Sequence, residues 1–113
     1  AYQKVALSIT TPRLTIRAAP AGQRIAIDGK GFDYSGRGRI PRAIVQYNKG
    51  ADGCVLEGFE LYGAHNDSGN GAGVRINQAN DFTVRNCEIR GNDMGIMSNG
   101  DGTTCISAAH PCA

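Results

Sequence analysis

The feature that most constrains this chain is internal repetition. Laying Cys54–Gly63 over Phe82–Gly91, a shift of 28 (82 − 54), puts Cys54 on Phe82, Leu56 on Val84, Phe59 on Cys87, Leu61 on Ile89 and Gly63 on Gly91. Every apolar position meets an apolar position. The intervening segment also repeats: Val45-Gln46-Tyr47-Asn48 matches Val74-Arg75-Ile76-Asn77 at a shift of 29, and that segment matches Ile96-Met97-Ser98-Asn99 at a shift of 22. Such a period marks a stacked architecture, in which one coil cannot bury its own apolar row and neighbouring coils complete both the core and the backbone hydrogen bonds. Asn48, Asn77 and Asn99 recur at the end of the same strand. Asparagine tolerates left-handed φ at a bend and its amide can bond its equivalent one coil away, so these three are expected to form a ladder.

Apolar and polar residues alternate over short runs, the strand period, and helical periodicity is almost absent. Strands are expected at 5–9, 14–17, 25–27, 44–47, 54–56, 59–62, 73–76, 82–84, 87–90 and 95–97, with a weaker one at 104–106. A sandwich or barrel would need two-residue Asn-Gly or Asp-Gly turns between equal antiparallel strands. Asp28-Gly29 and Asn99-Gly100 are present but do not lie midway between equal strands, which favours the parallel solenoid. The repeat is expected to occupy 1–102, with 103–113 an irregular tail or cap.

Composition narrows the partners. Twelve basic and 10 acidic residues give a net charge of +2, too balanced for a nucleic-acid surface. No run of about 18 apolar residues is present to span a membrane. The 16 glycines lack a Gly-X-Y period, which excludes collagen. Four cysteines (Cys54, Cys87, Cys105, Cys112) form no CxxC pair, so a zinc site is not expected, and an even count is compatible with an oxidising compartment. Cys54 and Cys87 fall on aromatic positions of the other repeat and should point inward.

The stretches 55–61 and 84–96 resemble the repeats of the pectin-lyase-like superfamily, and Leu14–Pro20 with Ile25–Gly29 is similar to the first coils of such domains in secreted bacterial proteins. The resemblance implies an all-β, right-handed parallel β-helix of about four to five coils, secreted or extracellular, that binds or acts on carbohydrate. Complete members carry more coils, so the chain is expected to be part of a longer one, not active alone, and to self-associate through open ends. The alternative is a non-catalytic structural or self-assembling solenoid of a surface, adhesin or fibre-forming kind. The family's known chemistry is β-elimination of uronate polysaccharides, by a base with calcium or a cationic side chain on the carboxylate; other members hydrolyse glycosides with paired carboxylates.

Charged residues expected to face outward supply the candidates. The overlay puts Glu57 on Arg85, Glu60 on Glu88 and Tyr62 on Arg90. Glu60 and Glu88 repel unless a calcium ion, an arginine such as Arg90 or solvent intervenes, which makes them candidates for cation or substrate binding. His65 and Asp67, in the polar loop 64–71, could form an acid–base group with Arg75. The Gly-rich stretch 28–42 carries Arg37, Arg39 and Arg42, which could hold an anionic sugar.

Overall fold

The computed structural model describes residues 1–19 and 22–99, and these form eleven strands and no helix. The strands are β1 (Tyr2–Gln3), β2 (Leu7–Ile9), β3 (Thr15–Arg17), β4 (Ile25–Asp28), β5 (Ala43–Tyr47), β6 (Val55–Glu57), β7 (Phe59–Tyr62), β8 (Ala72–Asn77), β9 (Thr83–Arg85), β10 (Glu88–Arg90) and β11 (Met94–Asn99). Ten of them fall where the alternation places a strand; β1 is additional. The expected strand at 104–106 and the 103–113 tail lie outside the described residues.

All pairing is parallel, in three sheets: β1-β4-β7-β10 (sheet I), β2-β5-β8-β11 (sheet II) and β3-β6-β9 (sheet III). The chain visits sheets II, III and I in turn, three times over, with β1 before and β11 after. This topology is compatible with a parallel β-solenoid. The register reproduces the sequence overlay: Leu56 pairs with Val84 (84 − 56 = 28), Leu61 with Ile89 (89 − 61 = 28), Val45 with Val74 (74 − 45 = 29) and Val74 with Ile96 (96 − 74 = 22).

Inward rows follow from the period of two along each strand. Sheet II contributes Val45, Val74 and Ile96, sheet III Leu56 and Val84, and sheet I Ile27, Leu61 and Ile89, all buried. Tyr47 and Phe82 meet edge to face inside, with centroids 4.6 Å apart. Cys54 and Cys87 are buried, as the overlay expects; both are free thiols, and burial pushes the Cys87 thiol upward. The bend between sheets III and I needs a left-handed residue in each of these coils: Gly58 at φ 86° in one, Asn86 at φ 51° in the next. A Cβ on Gly58 would lie 3.1 Å from the Ala18 methyl of the preceding coil, so glycine serves there both for its left-handed φ and for the close approach.

Coil length varies mainly at one corner, between sheets I and II. There the chain makes an arm at 29–42, a loop at 63–71 and a tight turn at 91–93. These three segments stack and build the sites described next.

Candidate anion-binding groove and adjoining corner

The outward row of sheet II runs Ser8, Gln46, Arg75, Met97 in consecutive register. Two residues along, Asn77 pairs with Asn99, and Asn48 follows Tyr47, the partner of Ile76. Residues 36–42 of the arm fold over these rows and close a groove of about 480 Å³. Its lining is Ser8, Gln46, Asn48, Arg75 and Asn77 from the sheet, with Arg39 and Arg42 among the arm residues. Among the described residues three arginines line it and no carboxylate does.

Hydrogen bonds preset the floor. Gln46 accepts from the Arg42 backbone N–H at 2.9 Å and donates to Asn48 Oδ1 at 2.9 Å, and Asn48 donates to Ser8 Oγ at 3.0 Å. The amide row is thus tied to the arm at one end and to the preceding coil at the other. Asn77 and Asn99 are in register and Asn48 follows in the same row; the bonds that fix Asn48 run to Gln46 and Ser8.

Arg75 is the group out of balance. Only 9% of it is exposed, yet among the described residues it forms no ion pair, and its Nη1 donates to the weakly accepting sulfur of Met97. Burial first, and the like charge of Arg42 second, pull the guanidinium below its ordinary pKa. A buried charge without a counterion is costly, and a like-charged neighbour adds to the cost. An anion entering the groove would relieve both.

The other sequence candidates fall elsewhere. Arg37, His65 and Asp67 line a separate cleft of about 240 Å³, with Asp33 and Asn66. Arg37 and Arg39, two residues apart, therefore line different cavities, and Arg75 lies with Arg39 in the groove, apart from the cleft that His65 and Asp67 share. Glu60 and Glu88 pair side by side on sheet I. Glu88 is held by Arg90 at 3.0 Å and by Arg24 at 3.5 Å, so arginines offset the carboxylate repulsion. Arg90 also covers the Tyr62 ring, 4.4 Å from its centroid. Among the described residues no group of three or more His, Cys, Asp or Glu converges to hold a metal ion.

One functional-looking pair was missed in the sequence. Asp93 Oδ1 meets His65 Nδ1 at 2.7 Å, and Asp93 Oδ2 accepts the backbone N–H groups of Asn66 at 2.9 Å and Gly71 at 3.1 Å. His65 and Asp93 are 28 residues apart (93 − 65). Carrying the overlay two residues past Gly63 and Gly91 would have aligned them. Burial raises the Asp93 pKa, but His65 and the two backbone donors outweigh it and hold the carboxyl below its ordinary value. A depressed carboxyl contributes stability above its unfolded pKa and loses it as the pH falls through the folded one. Loop 64–71 should therefore loosen in acid. Asp93→Ala should loosen it at neutral pH, at a cost of roughly 1.5–3 kcal/mol. Hydrogen exchange at the Asn66 and Gly71 amides reads both effects; unchanged protection in the variant would contradict this role for Asp93.

Comparison with protein-family models, with curated proteins and with solved structures gives no match for this chain.

Proposed function

We propose that the chain is a stretch of right-handed parallel β-helix of the pectin-lyase-like kind, and that it binds an acidic polysaccharide outside the cell along the outward face of sheet II. The observation that carries this reading is the buried Arg75, without an ion-pair partner among the described residues, in a groove that Arg39 and Arg42 complete and that no described carboxylate lines. Guanidinium forks match planar carboxylates, and side-chain amides and a serine hydroxyl match sugar hydroxyls. An extended anionic polymer suits a groove whose polar groups repeat from strand to strand at about 4.8 Å.

Binding is favoured over hydrolysis by the same lining. Paired-carboxylate cleavage needs two acidic groups flanking the bond, and among the described residues the lining supplies none. Uronate carboxylates, by contrast, find three cationic partners there.

Calorimetric titration tests the proposal. Polygalacturonate should bind with an affinity that falls as salt rises, because exposed charges are screened, and a neutral glucan of equal length should not bind. Equal binding of both polymers, or of neither, would overturn it.

A further inference from the structure

We infer that Asn66 is a positioning residue for the groove: it holds the arm that carries Arg39, without itself lining the groove. The inference rests on the anion-binding reading for its ligand, but its mechanical half stands on the free protein alone.

The arm is pinned at two places. At its far end Arg42 is fixed through both backbone groups: its N–H donates to Gln46 Oε1 at 2.9 Å, and its C=O accepts from the Ala72 N–H at 2.9 Å. At its near end the pin is Tyr34, which is fully buried. Its hydroxyl donates to the Val5 carbonyl at 2.8 Å. Its ring packs so closely on Gly29 that a Cβ there would come within 2.7 Å of the Tyr34 oxygen. Between the pins, Gly36 and Gly38 both adopt left-handed backbone (φ 80° and 57°) and flank Arg37. Glycines in such a segment leave it free to move unless something holds it.

Asn66 supplies the hold. Its Nδ2 donates to the Tyr34 carbonyl at 2.7 Å, across from the next coil. The same amide is locked within its own loop: Nδ2 to Asn70 Oδ1 at 2.6 Å, and Oδ1 from the Asn70 N–H at 2.9 Å. Its backbone N–H is held by Asp93 in the coil after that. One residue thus joins the arm of one coil, through its side chain, to the turn two coils on, through its backbone. Asn66 lines the separate cleft, while Arg39 lines the groove. Losing the tie therefore removes no ligand contact; it releases the segment that presents Arg39, and ordering that segment again is charged to binding.

The discriminating variant is Asn66→Asp. It keeps an acceptor for the Asn70 N–H and the backbone bond to Asp93, and it loses the Nδ2 donor to the Tyr34 carbonyl together with the one to Asn70 Oδ1 within its own loop. Hydrogen exchange on the free, full chain is the first readout. The Ile40 amide, which bonds the Arg37 carbonyl in the arm, should exchange at least about tenfold faster, while Leu61 in sheet I stays protected. If Ile40 is unchanged, the inference fails whatever the ligand does. The second readout is polygalacturonate affinity in double-mutant cycles. Asn66→Asp should cost about 2- to 12-fold, be sub-additive with Arg39→Gln and be additive with Arg75→Gln. Additivity with both would mean that Asn66 does not act through Arg39. Asn66→Ala, which adds no charge, should repeat the pattern. Wild-type chain that fails to bind polygalacturonate sinks the anion-binding reading, and the exchange result then decides the mechanical inference separately.

Discussion

Arg75→Gln is expected to weaken polyuronate binding at least about thirtyfold while leaving the free protein as stable as before or more so. The two effects have opposite signs for one reason. Removing one partner of a desolvated charge pair typically costs 2–5 kcal/mol, and each ~1.4 kcal/mol is tenfold in affinity. In the free protein, however, that guanidinium is buried beside Arg42 with no counterion among the described residues, so its removal relieves a penalty. Glutamine retains a donor for the position and much of the packing stem. The control is Arg24→Gln, an exposed ion-pair partner of Glu88 on sheet I, which should change affinity little. Titration calorimetry and thermal unfolding on the same samples check both halves. A variant that binds normally, or one that loses binding only because it unfolds, would remove Arg75 from the centre of the site.

Leu61→Ala is expected to cost about 2–5 kcal/mol, a large part of the roughly 5–15 kcal/mol that holds a domain together. Leu61 is fully buried and lies between Ile27 and Ile89 in the inward row of sheet I. Each coil of a stacked fold leans on its neighbours, so a cavity in the middle of the stack weakens two interfaces at once. For a chain of this size the midpoint of thermal unfolding should fall by on the order of 10–30 °C. Glu60→Ala, one residue earlier and outward, should fall within about 0.5 kcal/mol of the parent. Equal effects at 60 and 61 would contradict the assignment of inward and outward rows.

The core of this fold was legible because it is periodic. Leu56 on Val84, Leu61 on Ile89 and Val45 on Val74 are chemical matches at a fixed shift, and backbone pairing at that same shift joins them. The bend after sheet III lies at the same shift, with Gly58 in one coil and Asn86 in the next (86 − 58 = 28), both at left-handed φ. The groove was harder to read. Arg39 and Arg75 are 36 residues apart (75 − 39), and the 36–42 segment has no counterpart in the next coil, so no repeat argument places it. It is tied at one end through the Arg42 backbone and at the other through buried Tyr34, whose carbonyl accepts from the Asn66 amide of another aperiodic loop. Local spacing likewise grouped His65 with Asp67 and missed Asp93, because the overlay ended at Gly91. The Gln46–Arg75 pairing was within the matched segment, but nothing local distinguished a groove floor from any other solvated face.

The central claim is that an anionic sugar sits against Arg75. The most direct measurement follows the arginine side-chain NMR signals while a short oligogalacturonate is titrated into the full chain. The account predicts that the Arg75 Nε–H signal shifts most, with Arg39, Arg42 and the side-chain amides of Asn48 and Asn77 moving at the same midpoint. Saturating shifts confined to Arg24 and Arg90 on sheet I, with Arg75 still, would contradict it.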